Sequence, residues 1–86
     1  METQIYVVEW LDDVNTDCYS TWRFKWARYS QIDAIISIVN NLRRLSYTGE
    51  IITSGWSTSE MFVRSEDWQY QYRITCSTIP TQEVLQ

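Results

Sequence analysis

Few residues in this chain have the type and spacing that chemistry requires. Asp13-x-Asn15-x-Asp17 places oxygen side chains at alternate positions, as in the opening of a calcium loop, where such ligands converge on one ion. The pattern stops there. The sixth position of the loop would be Cys18 instead of Gly, and the twelfth Phe24 instead of Glu. A solvated hairpin turn accounts for the segment. Zinc has less support, because the chain has no His and Cys18 and Cys76 lie far apart in sequence. No metal and no cofactor is expected.

Nucleophilic catalysis at Ser or Cys needs a neighbouring base, and the usual one, His, is missing. The paired carboxylates Asp12/Asp13 and Glu66/Asp67 fall in predicted turns, where water solvates them and nothing tunes them for acid–base work. Glu9 stands alone in an apolar run and is expected to face solvent or to pair with Arg23 or Lys25 across a hairpin. Gly49 and Gly55 are too dispersed for a phosphate-cradling loop. Arg43-Arg44-Leu45-Ser46 fits a basophilic kinase pattern, but these arginines are sufficiently explained as complements to a helix C-terminal dipole. The chain is therefore read as non-catalytic.

The elements that position these residues follow from periodicity. Gln4–Leu11 is a β-branched and aromatic run, and reads as a strand. Tyr19–Arg28 alternates, with Trp22, Phe24 and Trp26 on one side and Thr21, Arg23 and Lys25 on the other. Ser30 is a good helix N-cap with Asp33 three residues on, and Gly49 is a good stop. Between them Ile32, Ile35, Ile36, Val39 and Leu42 keep the helical period. Asp33, Ser37, Asn40, Asn41 and Arg44 form the opposite, polar stripe, while Ala34, Ile38 and Leu45 widen the apolar arc beyond what one sheet needs.

Glu50–Ser54 is a short strand candidate, Glu60–Arg64 another, and Trp68–Ser77 a strong one after the turn Ser65-Glu66-Asp67. In the last strand Trp68, Tyr70, Tyr72, Ile74 and Cys76 share one face, and Gln69, Gln71, Arg73 and Thr75 the other. Pro80 ends it, leaving 81–86 as a frayed tail. The β-β-α-β-β order predicts an α+β fold: a two-layer antiparallel sheet of four or five strands with one helix on one face, a single domain over 1–80. The aromatic faces should meet the helix. The other sheet face would then carry Arg23, Lys25 and Arg73, three of the seven basic residues of an acidic protein.

The 86 residues carry 11 acidic and 7 basic side chains, a formal net charge of −4. Carboxylates gather in the turns and the first stretch, while Arg23–Arg44 is locally basic. A secretory signal and a membrane-length apolar run are both missing, so the expected place is the cytoplasm, with no membrane partner. Two cysteines are too few for a disulfide scaffold. Trp 5 and Tyr 6 are high counts for the length. Alternating aromatics on a sheet are first of all core, although Trp22, Trp26, Trp68, Tyr70 and Tyr72, if exposed, would make a stacking platform for sugars or unpaired bases. Trp10 and Trp56 sit beside predicted turns and are the candidate protein-binding anchors, Trp56 foremost.

Three functions compete. A protein-binding or inhibitory accessory protein, acting by surface contact, uses Trp56, Trp10 and the surplus helix residues Ile38 and Leu45, which would also carry a homodimer. A nucleic-acid-binding domain would use Arg23, Lys25 and Arg73, with Arg64, on phosphates. A ligand- or sugar-binding module would need the aromatic platform open. Compact, acidic, motif-free single domains of this size resemble in type the accessory proteins of phages and mobile elements, including inhibitors of host defence nucleases such as anti-CRISPR proteins. That resemblance implies a host-cytoplasmic protein that covers a partner's surface.

Overall fold

The computed structural model describes residues 2–12, 21–55 and 60–80. Its elements run β1 (Glu2–Asp12), β2 (Thr21–Arg28), α1 (Gln31–Arg44), β3 (Ile51–Ser54), β4 (Glu60–Ser65) and β5 (Gln71–Pro80). All five strands join one antiparallel sheet in the order β2-β1-β5-β4-β3, with α1 packed over β1, β2 and β5. This is the expected α+β, two-layer arrangement. The C-terminal strand lies at the centre, paired with β1 on one side and β4 on the other. The helix therefore carries the chain from one edge strand to the other. At 14 residues it is long enough to do so, about 21 Å against about 19 Å for four strand spacings.

The helix begins as its cap residues require. Ser30 has extended backbone and its Oγ accepts from the Asp33 N–H at 3.0 Å. Its end is not at Gly49. The N–H of Tyr47 bonds to Leu42 O at 2.9 Å and that of Ser46 to Arg43 O at 2.9 Å, a Schellman closure with Ser46 in the left-handed region at φ 67°. Carbonyl satisfaction ends this helix, three residues before the glycine.

The core is one layer of side chains between α1 and the sheet. Val8, Met61, Val63, Tyr72 and Ile74 meet Ala34, Ile38 and Leu42, and each is buried. Burying each of the larger of these contributes roughly 1.5–3 kcal/mol. The buried helical stripe is Ala34-Ile38-Leu42, so Ile38, expected as surplus surface, is 0% exposed and belongs to the core. The surplus falls on Ile32 and Ile36 instead, which the helix turns to solvent, and on Leu45 at its end. No helix among the described residues is long and apolar enough to cross a membrane.

Candidate binding face

Pairing partners share a face, so the register sorts the sheet's side chains into a helix-covered face and an open one. Val8 pairs with Trp26 and with Ile74, and Trp10 with Tyr72, on the covered side. Glu9 pairs with Phe24 and with Arg73, on the open side. Between Val8 and Glu9 the ladder slips by one residue, leaving Lys25 as the extra residue of a β-bulge. The bulge breaks the alternation that the sequence shows. Trp26 stays under the helix, where its indole N–H donates to Ser37 Oγ at 2.6 Å. Trp22 and Phe24 pass to the open face.

The same slip dissolves the expected basic face. Arg23 pairs with Trp10 on the covered side, and Lys25 Nζ lies 4.3 Å from the centroid of the Trp10 ring. Only Arg73 of the three stays on the open side, and it is neutralised there. Its Nη2 is 2.7 Å and its Nε 2.9 Å from Glu9 Oε1, with Glu60 Oε2 3.8 Å from Nη1. Glu9 thus pairs across to β5, not with Arg23 or Lys25 across the β1–β2 hairpin. Trp10 is half-buried against the core and is no exposed anchor. Trp56, Cys18, the Asp13–Asp17 segment and residues 81–86 lie outside the described residues.

What remains on the open face is aromatic. Trp22 and Phe62 are tilted neighbours with centroids 6.1 Å apart, and the Arg73 guanidinium lies 4.7 Å above Trp22. Phe24 is 63% exposed, and no helix covers this side among the described residues. Gly55 is fitted to this cluster. Its φ of +74° is costly for an L side chain, and a Cβ there would lie 2.7 Å from the Phe62 ring.

Trp68 joins the cluster by an unexpected route. The alternation puts it on the core face of the last strand, but β5 starts only at Gln71 and Trp68 sits in the preceding turn with φ 64°. Such a conformation costs an L residue roughly 1–2 kcal/mol. The turn is held by Ser65, whose buried hydroxyl donates to Asp67 Oδ1 at 2.7 Å and accepts from the Tyr70 N–H at 3.0 Å. The Ser65 hydroxyl and the Gln69 N–H together hold the Asp67 carboxyl below its ordinary range, so this acid is structural rather than merely solvated. Trp68 is 59% exposed, and its ring carries the Arg64 guanidinium at 3.6 Å from its centroid. Trp22, Phe62, Arg64, Trp68 and Gln71 enclose a cavity of about 210 Å³ at this end of the face.

Sequence reading therefore missed Trp22, Phe24, Phe62, Arg64 and Trp68 as a set. The turn after Ser65 runs three residues further than expected, to Tyr70, and carries Trp68 with it. Among the described residues no three His, Cys, Asp or Glu side chains gather into a possible metal site. No family model, curated protein or solved structure matches this chain.

Proposed function

We propose that this chain is a non-catalytic binding module that holds a protein partner against the open face of its sheet. One observation carries the reading. Phe24 stands 63% exposed on the same sheet face as Trp22 and Phe62, across the Glu9–Arg73 pair from Phe62, and no helix covers that face among the described residues. Aromatic side chains with arginine stacked on them are what protein-contact centres are built from, since they bury much area at little entropic cost. The strain held at Trp68 supports the same reading, because a ring so placed returns little burial for its backbone conformation. Contact of this kind suffices for an inhibitory accessory protein, which needs only to occupy a partner's working surface.

Phosphate recognition has less support. Arg64 and Arg73 are matched on this face by Glu9 and Glu60, and Arg73 is committed to Glu9. Affinity capture with the wild type, Phe24→Asp and Tyr29→Asp tests the proposal, position 29 being still more exposed at 77%. The wild type and Tyr29→Asp should retain a common protein that Phe24→Asp loses. Retention of the same proteins by all three would defeat it.

A further inference from the structure

Charge is distributed very unevenly along this chain. Residues 21–44 hold five of the seven basic side chains and, in Asp33, one of the eleven acidic ones, so they carry +4 against −8 for the rest. These residues are β2 and α1, and between the two elements lies a groove of about 520 Å³. Arg28 of β2 stands on one wall, and Asp33, Asn40, Asn41 and Arg44 of α1 on the other, with Trp26 in the lining. The polar helical stripe is thus the wall of a cleft on the basic side of an acidic protein.

The groove's polar groups divide by what the fold already uses. The Trp26 indole N–H is taken by Ser37 Oγ, whose own hydroxyl donates to Ala34 O at 2.6 Å. Tyr72 donates from the core to Asn41 Oδ1 at 2.5 Å, which leaves the Asn41 NH₂ as the end that can serve a ligand. Arg28 Nη1 donates to Ala27 O at 2.8 Å, and the rest of its guanidinium, with Asn40, Asn41 and Arg44, offers donors, while Asp33 offers an acceptor. An extended polypeptide with acidic side chains meets this set. Its carboxylates suit the guanidinium forks, and its backbone N–H and C=O groups suit carboxamides and Asp33. A phosphate chain would bring acceptors alone to the carboxylate of Asp33. β2 is moreover an edge strand, beside which an extended segment can lie.

We infer that the groove between β2 and α1 binds an acidic peptide segment, held by Arg28 and Arg44 at its carboxylates and by Asn40 and Asn41 at its backbone. This site is separate from the open sheet face and does not depend on that face's partner.

The test is fluorescence anisotropy of an end-labelled octaglutamate peptide titrated with the full chain at low salt, with an octathymidylate as the phosphate-bearing comparison. Octaglutamate should bind more tightly than octathymidylate and lose affinity as salt rises. Arg28→Gln and Arg44→Gln should each weaken it about tenfold, because each removes a charge-assisted contact. Asn40→Leu, which changes no charge, should weaken it about threefold by loss of a neutral hydrogen bond. Ile79→Ser, on β5 outside the groove and without change of charge, should leave it unchanged. Failure of octaglutamate to bind, binding by Arg28→Gln or Arg44→Gln as tight as by the wild type, or tighter binding of octathymidylate would each overturn the inference. Sedimentation at the same concentrations should show a monomer. A salt-sensitive dimer would assign the groove to a second copy of this chain and overturn the peptide assignment.

Discussion

Replacing Tyr72 by Phe removes one oxygen from the middle of the core and should lessen the protein's loss of stability in alkali. The Tyr72 ring is fully buried and its hydroxyl donates to Asn41 Oδ1 at 2.5 Å. Near neutral pH Tyr72→Phe loses that bond, and the cost should be about 1 kcal/mol, at the low end of the range for an orphaned acceptor. Water in the groove can reach Asn41 and limits the loss. Above pH 10 the balance shifts. Burial first, and the nearby Tyr70 second, push the Tyr72 hydroxyl up to about 12 from an ordinary 10. Between those values the unfolded chain gives up this proton while the native state keeps it, so native stability falls as pH rises. The full difference is on the order of 2–3 kcal/mol. Tyr72→Phe has no such proton to keep. The other tyrosines, including Tyr6, which is raised chiefly by its hydrogen bond with Cys76, are common to both proteins and cancel. Urea titrations at steps between about pH 8 and pH 11.5 should start with the wild type more stable and end with the two curves converging or crossing. Parallel curves would refute the placement of the Tyr72 hydroxyl in a desolvated core.

Three further substitutions probe the backbone. Ser46→Gly should stabilise the chain by about 1 kcal/mol, since position 46 closes the helix at φ 67°; a lower urea midpoint would contradict the Schellman closure. Gly55→Ala should destabilise it by about 1–2 kcal/mol, because the new methyl meets a φ of +74° and the Phe62 ring, and unchanged stability would remove the glycine's role. Asp67→Asn should flatten the acid limb of the stability curve. Asp67 is held low by the Ser65 hydroxyl and the Gln69 N–H, so its contribution is present above the ordinary carboxylate range and is lost as pH falls through its lowered value. An acid limb unchanged from the wild type would contradict that hydrogen bonding.

Much of the fold is legible in the sequence because its signals are local. The Ser30 cap with Asp33, the alternation around Tyr72 and Ile74, and the turn at Ser65-Glu66-Asp67 each depend on a few neighbouring residues. The rotation of the helix is harder to read. Ala34-Ile38-Leu42 and Ile32-Ile36 are both apolar stripes at helical spacing, and only the sheet beneath decides which one is buried. The candidate face was misread for one definite reason. Trp22, Phe24 and Trp26 alternate without fault in the sequence, but the Lys25 bulge consumes one residue and sends Trp26 to the core and the other two to the open side. A bulge depends on the register against β1, which no pattern within β2 records. The strand order has the same origin, since β5 enters between β1 and β4 through long-range pairing.

The most direct test of the central claim is site-specific photo-crosslinking from inside the producing cell. A benzoylphenylalanine placed at position 24 reports from the open face, and one at position 29 reports from the end of β2 beside Glu2 and Gln4, where exposure is greater. A protein partner seated on the open sheet face predicts a discrete crosslinked polypeptide from position 24 and little from position 29. Equal labelling from both positions, or labelling from position 29 alone, would contradict the assignment of the aromatic face as the contact surface.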